Sequence, residues 1–387
     1  MTTSAPKKKN LEVEYLRGVA VSLAILTHLP ILLPFHNQAL TQFYFTVAMP
    51  ASGVDLFFCI SGFVVSKAFL EFFDQHIARG RFTLAFQVFW LRRAFRLLPT
   101  AWLWVLAGLA CSVLFNSTGV FATPMQNLRS AAVVVTACGN FANQFGMLLH
   151  PNDVYWSLAL EEQFYFLFPL FLLVVPALWR WRVLLALVAV QFLVNRNITL
   201  ATTPAVAMAA GFRLDGIMWG VLIFLFSRTP QYLQLEPTFL RSSRVALAAV
   251  NGLLIYLLIA LPAQFALLPI TMGLVALLAA ALVFMASFDR GYATPLPFLN
   301  RFFVLVGARS YAVYIIHVFA YRLTFEVWSR YAATRGVPLG VGDTLPMVAT
   351  AALLLLVLVE CNYRFVELPL RDKGMRMAQA RMQEFAR

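Results

Sequence analysis

Two ionisable side chains, Arg17 and His28, interrupt the apolar stretch 15–30. They are eleven residues apart, which is about three helical turns, so both project from one helix face, roughly 16 Å apart along the axis. Ionisable groups at membrane depth are costly and are candidates for function. A guanidinium suits phosphate oxygens, and an imidazole exchanges protons near neutral pH. The structural alternative is that Arg17 reaches the lipid headgroups and His28 makes a buried hydrogen bond.

Carboxylates begin two other apolar runs. Glu161 and Glu162 are adjacent in WSLALEEQFYFLFPL, and stabilisation of a helix N-terminus explains one of them but does not require two. Asp55 stands in GVDLFFCISGF, where its structural alternative is to cap the helix start. Ser61 and Gly62 in the same run predict close helix packing.

Arginines mark two further motifs. Arg93 and Arg96 in WLRRAFRLLP are three residues apart and share a helix face. They suit a phosphate clamp, and the alternative is an anchor on the cytoplasmic side. Arg213 and Asp215 in GFRLDGIMWG form either a functional set or a mutual ion pair.

Tyr311 and His317 stand in SYAVYIIH, where Ser310 and His317 are two helical turns apart. Sorting the polar residues by predicted depth gives an inner set of arginines, namely Arg17, Arg92, Arg93 and Arg96. The outer set comprises His28, Asp55, Glu161, Glu162, Arg213, Asp215 and His317. The inner set suits a phosphorylated molecule from the cytoplasm, and the outer set suits proton chemistry. Group transfer across a membrane and proton-coupled transport both remain open.

The elements that position these residues are predicted to be membrane helices. The chain is 61% hydrophobic and only 12% charged, with a mean hydropathy of +0.77, so it is expected to be an all-α, polytopic membrane bundle. Ten spans are predicted, at 13–34, 44–66, 98–115, 157–178, 183–195, 208–226, 245–262, 266–287, 302–321 and 346–363. Residues 131–149 are apolar but contain Gly and Asn, which predicts a non-spanning, re-entrant stretch.

Lys and Arg are unevenly distributed over the predicted segments. Inner segments hold 22 of the 30, and Arg17, Arg213 and Arg309 fall at or within spans. Outer loops hold 5, namely Arg129, Arg196, Arg322, Arg330 and Arg335. This bias predicts that both termini are cytoplasmic, and it explains the net charge of +13 without nucleic acid. The predicted organisation is a basic segment 1–12, a membrane domain 13–366 and a basic tail 367–387.

The four cysteines, Cys59, Cys111, Cys138 and Cys361, are far apart in the sequence. This spacing predicts neither a disulfide framework nor a metal site, and inert thiols are the preferred interpretation.

Taken in order, these motifs resemble those of the acyltransferase-3 family of membrane-bound O-acyltransferases, and the match covers nearly the whole chain. The motifs are Arg17-x10-His28, GVDLFFCISGF, Arg93-x-x-Arg96, WSLALEEQFY, FRLDGIMWG, SYAVYIIH and VELP. Family members often have Asp three residues before the first Arg, where this chain has Glu14. Many also carry an SGNH-type domain after the tenth helix. The chain ends about twenty residues past the last predicted span, so we expect a stand-alone form without that domain.

The resemblance implies ten helices and transfer of an acyl group, usually acetyl, from cytoplasmic acyl-CoA to a hydroxyl of a carbohydrate or lipid-linked glycan. It implies an integral protein of a bacterial inner membrane, in contact with membrane lipids. The functional pairs of the family correspond here to Arg17 with His28 and Arg93 with Arg96. The family acid corresponds to Glu161 or Glu162.

The resulting hypothesis assigns His28 as general base or as a transient acyl carrier, with Glu162 orienting its imidazole. Arg17, Arg93 and Arg96 would bind CoA phosphates or neutralise the thioester end. The acceptor side would comprise Asp55, Glu161, Arg213, Asp215, Tyr311 and His317. The alternative, from another functional class of protein, is a proton-coupled transporter or flippase for a lipid-linked glycan.

Overall fold

The computed structural model describes residues 9–147, 149–193, 208 and 210–384, which are helical with short connections and contain no strand. The longer helices are α1 (Leu11–Thr27), α2 (Asn37–Thr46), α3 (Gly53–Ala78), α4 (Phe82–Leu114), α5 (Pro124–Val135), α6 (Tyr155–Val174), α7 (Arg180–Leu193), α8 (Asp215–Phe226), α9 (Arg244–Gln264), α10 (Thr271–Ser287), α11 (Pro297–Ala308), α12 (Ser310–Arg335), α13 (Thr344–Asn362) and α14 (Leu368–Glu384). Shorter α-helices cover Leu29–Leu32, Gly139–Gln144 and Gln231–Gln234. The 3-10 turns are Pro34–His36, Pro50–Ser52, Thr238–Arg241 and Val341–Asp343, and a π-helical turn covers Tyr363–Glu367. The all-α expectation is confirmed.

Five helical segments of the described chain are long and apolar enough to cross a membrane. They are Pro50–Ala78, Phe82–Leu114, Tyr155–Val174, Arg244–Gln264 and Val341–Glu384. Helices α11 and α12 would add a sixth if they count as one span, although they meet at 80°. The protein is therefore an integral membrane protein. The count of ten and the cytoplasmic termini stay predictions.

Several predicted spans have different bounds in the structure. The predicted span 13–34 is interrupted at His28, two residues before Pro30, because proline cannot donate the backbone hydrogen bond that continues a helix. The predicted span 44–66 is divided into α2 and α3, which are separated by a turn beginning at Pro50. The predicted span 302–321 is wrong as one helix, since the chain bends sharply at Arg309. Helix α4 starts sixteen residues before the predicted position of 98.

Some predicted features fall partly outside the described residues. They are the ends of two predicted spans at 194–195 and 209, most of the basic segment 1–12, and residues 385–387 of the tail. Within 131–149, helix α5 and the short helix Gly139–Gln144 are each too short to cross a bilayer. This agrees with a non-spanning stretch. The described part of the tail forms α14, which packs along α4.

Helix α1 lies against four other helices, α3, α10, α11 and α12. Asn10 starts it by accepting a hydrogen bond from the Val13 backbone N–H at 2.9 Å, which satisfies one of the free donors at a helix N-terminus. Arg17 and His28 thereby lie on a helix packed on several sides.

Glycines allow two of the helix crossings. A Cβ on Gly307 would lie 1.8 Å from the Glu14 carbonyl oxygen, so α11 can pass α1 this closely only without a side chain there. A Cβ on Gly62 would lie 2.0 Å from the Ile217 carbonyl oxygen. The close packing predicted from Gly62 is therefore confirmed, and it occurs between α3 and α8. These crossings fix the helices that carry Arg17 and Asp55.

Candidate active site

An internal cavity of about 60 Å³ lies between α1, α3, α4, α6 and α12. This volume holds a few water molecules. We call it the arginine cavity, because its polar lining contains three arginines: the polar residues are Arg17, Ser61, Arg93, Arg96, Ser157, Glu161, Tyr165, Ser310, Tyr311 and Tyr314. Arg17 and the Arg93–Arg96 pair, which stand on different helices, are thus brought together as the sequence analysis expected.

The arginines of this cavity have few anionic partners. Arg17 Nη1 lies 3.4 Å from Glu14 Oε1. Within the described chain, Arg93 and Arg96 form no ion pair. Arg93 is 7% exposed, and its guanidinium lies over the ring of Tyr165, 4.3 Å from the centroid. The Nε atoms of Arg17 and Arg93 are buried without a hydrogen-bond partner. Buried cations in this state favour an incoming anion.

Glu161 is the carboxylate in the cavity lining. Its Oε2 accepts a hydrogen bond of 2.7 Å from the Tyr165 hydroxyl, which lies 3.2 Å from Ser61 Oγ. Tyr165 was missed by sequence reasoning, although its spacing of i, i+4 from Glu161 places both on one helix face. Tyr311 also lines the cavity and donates to the Leu97 carbonyl at 2.6 Å. Glu161 and Tyr311 therefore lie beside the arginines in one cavity, and their assignment to the acceptor side stays a prediction.

His28 lies outside the cavity lining, in contact with His317. His28 Nδ1 lies 2.9 Å from the Ala24 carbonyl oxygen and 3.0 Å from His317 Nε2. His317 Nδ1 lies 2.7 Å from the Tyr314 carbonyl oxygen. The Tyr314 side chain lines the arginine cavity and contacts Ser157 Oγ at 2.7 Å. Tyr314 therefore connects the cavity with the two histidines.

The carboxylate expected to orient His28 does not contact it. Among the described residues, no hydrogen bond or ion pair joins Glu162 to His28. Its neighbour Glu161 lines the arginine cavity, whereas Glu162 does not. The imidazole of His317 occupies the position that the hypothesis gave to Glu162.

Arg213 pairs with Asp55 and not with Asp215. Its Nε donates to Asp55 Oδ1 at 3.0 Å, and its Nη2 also contacts the same carboxylate. The pair joins α3 to the residues before α8, and Asp55 is fully buried. The backbone N–H of Asp215 donates to Gln191 Oε1 at 2.9 Å. The alternative of an Arg213–Asp215 ion pair is therefore wrong, and Arg213 connects two helices.

A third polar group surrounds Arg322 on α12. The sequence analysis counted Arg322 in an outer loop, but helix α12 continues to Arg335 and leaves Arg322 only 1% exposed. Its guanidinium donates to the Val120 carbonyl at 2.6 Å and contacts Asp153 and His150. Burial tends to raise the pKa of the Asp153 carboxyl, but the hydrogen bond with His150 and the charge of Arg322 outweigh it and hold that pKa at about 2.

Metal ligands are not clustered in the described part of the chain. No group of three or more His, Cys, Asp or Glu side chains there could hold a metal ion.

Residues 10–361 match a family model described as an acyltransferase domain, that of the acyltransferase-3 family. The chain belongs to the acyltransferase-3 family. This membership does not favour the transporter alternative.

Sequence relatives of this family member are bacterial. It is 23% identical to "Peptidoglycan O-acetyltransferase OatA" of Listeria monocytogenes over 83% of this chain and 51% of the relative. It is 25% identical to a Staphylococcus aureus protein named "Putative O-acetyltransferase" over 93% of this chain and 57% of the relative. A Bacillus subtilis protein named "Putative peptidoglycan O-acetyltransferase YrhL" is 32% identical over 35% of this chain and 21% of the relative. The chain thus spans at most a little over half the length of these relatives. No solved structure matches it.

Proposed function

We propose that this protein is a membrane O-acyltransferase that moves an acetyl group from cytoplasmic acyl-CoA to a hydroxyl of a cell-envelope glycan in a bacterial inner membrane. The single observation that carries the proposal is the arginine cavity, in which the buried Arg93 and the half-buried Arg96 form no ion pair among the described residues. Family membership supports the reaction class, and the cavity supports a site for an anionic donor.

The donor side uses Arg17, Arg93 and Arg96. Guanidinium groups form bidentate, charge-assisted hydrogen bonds with phosphate oxygens. A CoA phosphate bound here would supply the negative charge that Arg93 and Arg96 lack in the described chain. The Tyr165 hydroxyl donates a hydrogen bond of 2.7 Å to the Glu161 carboxylate. This carboxylate oxygen therefore faces a hydroxyl instead of an arginine.

The reacting side uses His28. Its Nε2 has no hydrogen-bond partner in the described part of the chain, and the residue is half-buried. We assign this nitrogen as the general base. It takes the proton of the acceptor hydroxyl as the hydroxyl oxygen attacks the thioester carbonyl carbon. A C–O bond forms, the C–S bond breaks, and the CoA thiolate that leaves receives the proton.

The two sides are separated by the length of α1 between Arg17 and His28, roughly 16 Å along the axis. In CoA the pantetheine arm separates the phosphates from the thioester, so phosphates at the arginines are compatible with a thioester near His28. Because the cavity holds only about 60 Å³, the arm requires lining side chains to move. Tyr314, which lies between the cavity and the histidines, is the first of these.

The proposed acceptor follows from the named relatives. The Listeria monocytogenes relative is named a peptidoglycan O-acetyltransferase, and the Bacillus subtilis relative a putative one. A polymeric wall glycan or its lipid-linked precursor offers the hydroxyl that the reaction needs. We therefore propose a cell-wall glycan as acceptor.

The test is made with purified protein in detergent. We expect wild type to bind acetyl-CoA, to release CoA slowly to water, and to transfer acetyl to an added muropeptide or lipid-linked disaccharide. His28→Ala should bind acetyl-CoA as wild type does and release no CoA. Failure of both folded proteins to bind CoA would refute acyl-CoA as the donor. Proton-coupled uptake of a glycan by reconstituted vesicles, without acetylated product, would refute the enzyme itself.

A further inference from the structure

The contacts of the two histidines determine where their protons lie. His317 Nδ1 faces the Tyr314 carbonyl oxygen at 2.7 Å. A carbonyl oxygen only accepts hydrogen bonds, so this nitrogen carries a proton. In neutral His317 the other nitrogen, Nε2, is then unprotonated and acts as an acceptor.

The same reasoning applies to His28. Its Nδ1 faces two acceptors, the Ala24 carbonyl oxygen at 2.9 Å and His317 Nε2 at 3.0 Å. A proton on Nδ1 satisfies both contacts, whereas a lone pair there would face two lone pairs. Neutral His28 therefore carries its proton on Nδ1 and has an unprotonated Nε2.

We propose that His317 is a positioning residue, which holds His28 so that its unprotonated Nε2 meets the substrate and which stabilises the imidazolium that forms there. The role of the site in acyl transfer rests on the function proposed above, but the proton positions do not. When Nε2 takes the hydroxyl proton, the Nδ1–H of the resulting cation donates to His317 Nε2, as a carboxylate would accept it in a Ser-His-Asp triad.

The burial of His317 distinguishes a positioning role from direct contact with the substrate. His317 is 0% exposed, and both its ring nitrogens are occupied by protein atoms. It thus has no polar atom free for an acceptor sugar, which argues against the acceptor-side assignment of the sequence analysis. His28 is half-buried, and its Nε2 has no partner among the described residues.

The first test is independent of catalysis. The chain contains five histidines, so nitrogen NMR of protein labelled with 15N-histidine gives few signals, which His28→Ala and His317→Leu assign. At mildly alkaline pH we expect both Nδ1 atoms to be of the protonated type and both Nε2 atoms of the unprotonated type. A coupling between His28 Nδ1 and His317 Nε2 across the hydrogen bond would support the pair directly. A protonated Nε2 on neutral His28 would overturn the proposal.

The second test uses two variants of one residue. His317→Gln keeps an acceptor for the His28 N–H through its side-chain carbonyl, whereas His317→Leu fills similar space without one. Loss of a hydrogen bond to a charged group corresponds to about ten- to hundredfold in rate. We expect that loss in kcat for His317→Leu, with KM for the donor unchanged, and substantial recovery in His317→Gln.

The outcomes are distinguishable. Equal loss in both folded variants, or a rise confined to KM for the acceptor, would overturn the positioning role. An inactive wild type would refute the proposed function, and the nitrogen spectrum would still decide the proton positions. Elution volume and thermal unfolding in detergent verify that each variant is folded.

Discussion

Two groups of arginines in the described part of the chain differ in their partners. Arg213, Arg309 and Arg322 each form an ion pair, with Asp55, Glu360 and Asp153 respectively. Arg93 and Arg96 in the arginine cavity form none within the described chain. An ion pair between two helices satisfies both charges and holds the helices together. A buried arginine without such a pair costs free energy in the empty protein and gains it when an anion binds.

This difference assigns the two groups separate roles. Arg322 is the largest side chain that is almost fully buried, and its donors meet Asp153, His150 and a carbonyl. Arg93 is nearly as buried, yet it rests on the ring of Tyr165. Under the proposed function, the paired group is structural, and Arg93 and Arg96 bind the donor. Each prediction below tests one side of this comparison.

The largest effect is expected where a buried pair is broken. Asp153→Asn removes the carboxylate and leaves Arg322 buried without its counter-charge, which should lower the free energy of unfolding by about 3 kcal/mol. The measurement is thermal or denaturant unfolding in detergent. The control is Asp372→Asn, because Asp372 is 50% exposed and its contact with Arg371 is 3.9 Å long. An exposed pair of this kind contributes less than about 1 kcal/mol.

The pH dependence of unfolding tests the same ion pair between Asp153 and Arg322. The pKa of Asp153 is about 2 in the folded protein, below its ordinary value of 3.8. A group with a lowered folded pKa stabilises the protein above its unfolded pKa and loses that contribution as the pH falls through the folded one. The difference in the free energy of unfolding between wild type and Asp153→Asn should be full above about pH 4 and should narrow towards pH 2. A constant difference would show that the carboxylate charge is not the cause.

The second prediction concerns an arginine of the cavity. Arg93→Gln should weaken CoA binding about ten- to hundredfold, because it removes a charge-assisted hydrogen bond worth about 1.5–3 kcal/mol. Its free energy of unfolding should stay the same or rise, since an unpaired buried cation is gone. Binding is measured by calorimetry in detergent.

The matched control for Arg93 is the adjacent arginine. Arg92 is exposed on another face of α4, with its guanidinium 5.0 Å from the centre of the Phe69 ring. Arg92→Gln should bind CoA as wild type does. If Arg93→Gln destabilised the protein as Asp153→Asn does and left CoA binding unchanged, the distinction between the two groups would fail.

The sequence predicted the helices well where apolar runs are uninterrupted. Helices α6, α9 and α13 begin and end within a few residues of the predicted spans. The grouping of Arg17 with Arg93 and Arg96 also follows from charge and spacing. The bend at Arg309 was not predicted, because no Pro stands there. It lies beside the point where α11 packs against α1 through Gly307.

Contacts between residues far apart in the chain could not be predicted from the sequence. His28 and His317 are 289 residues apart, and nothing in either motif indicates that they meet. Glu162 was preferred as the partner of His28 because carboxylates often orient catalytic imidazoles. The helical position of Arg322 was predictable. No Gly or Pro stands between Ser310 and Gly336, so a helix through Arg322 was the simpler expectation.

The third prediction tests whether the cavity depends on helix position as well as charge. Gly307→Ala places a Cβ 1.8 Å from the Glu14 carbonyl oxygen, so α11 and α1 must move apart and Arg17 with them. Overpacking of this kind costs about 1–3 kcal/mol. We expect lower stability and weaker CoA binding together. Gly252→Ala is the control, because a Cβ there meets nothing within 4 Å. Loss of stability with full CoA binding would show that the position of Arg17 is not critical.

The smallest effect is expected from one hydroxyl in the cavity. Tyr165→Phe keeps the ring beneath Arg93 but removes the 2.7 Å hydrogen bond to Glu161. A net hydrogen bond is worth about 0.5–1.5 kcal/mol, so CoA binding or kcat should change by a few fold. Freed from Tyr165, Glu161 can turn towards the arginines and compete with the donor phosphate, so we expect weaker CoA binding. Glu161→Gln combined with Tyr165→Phe should then restore it. Tyr256→Phe, on the exposed side of α9, should change nothing. If the double variant bound CoA no better than Tyr165→Phe, Glu161 would not be the competing anion, and the hydroxyl itself would contact the donor.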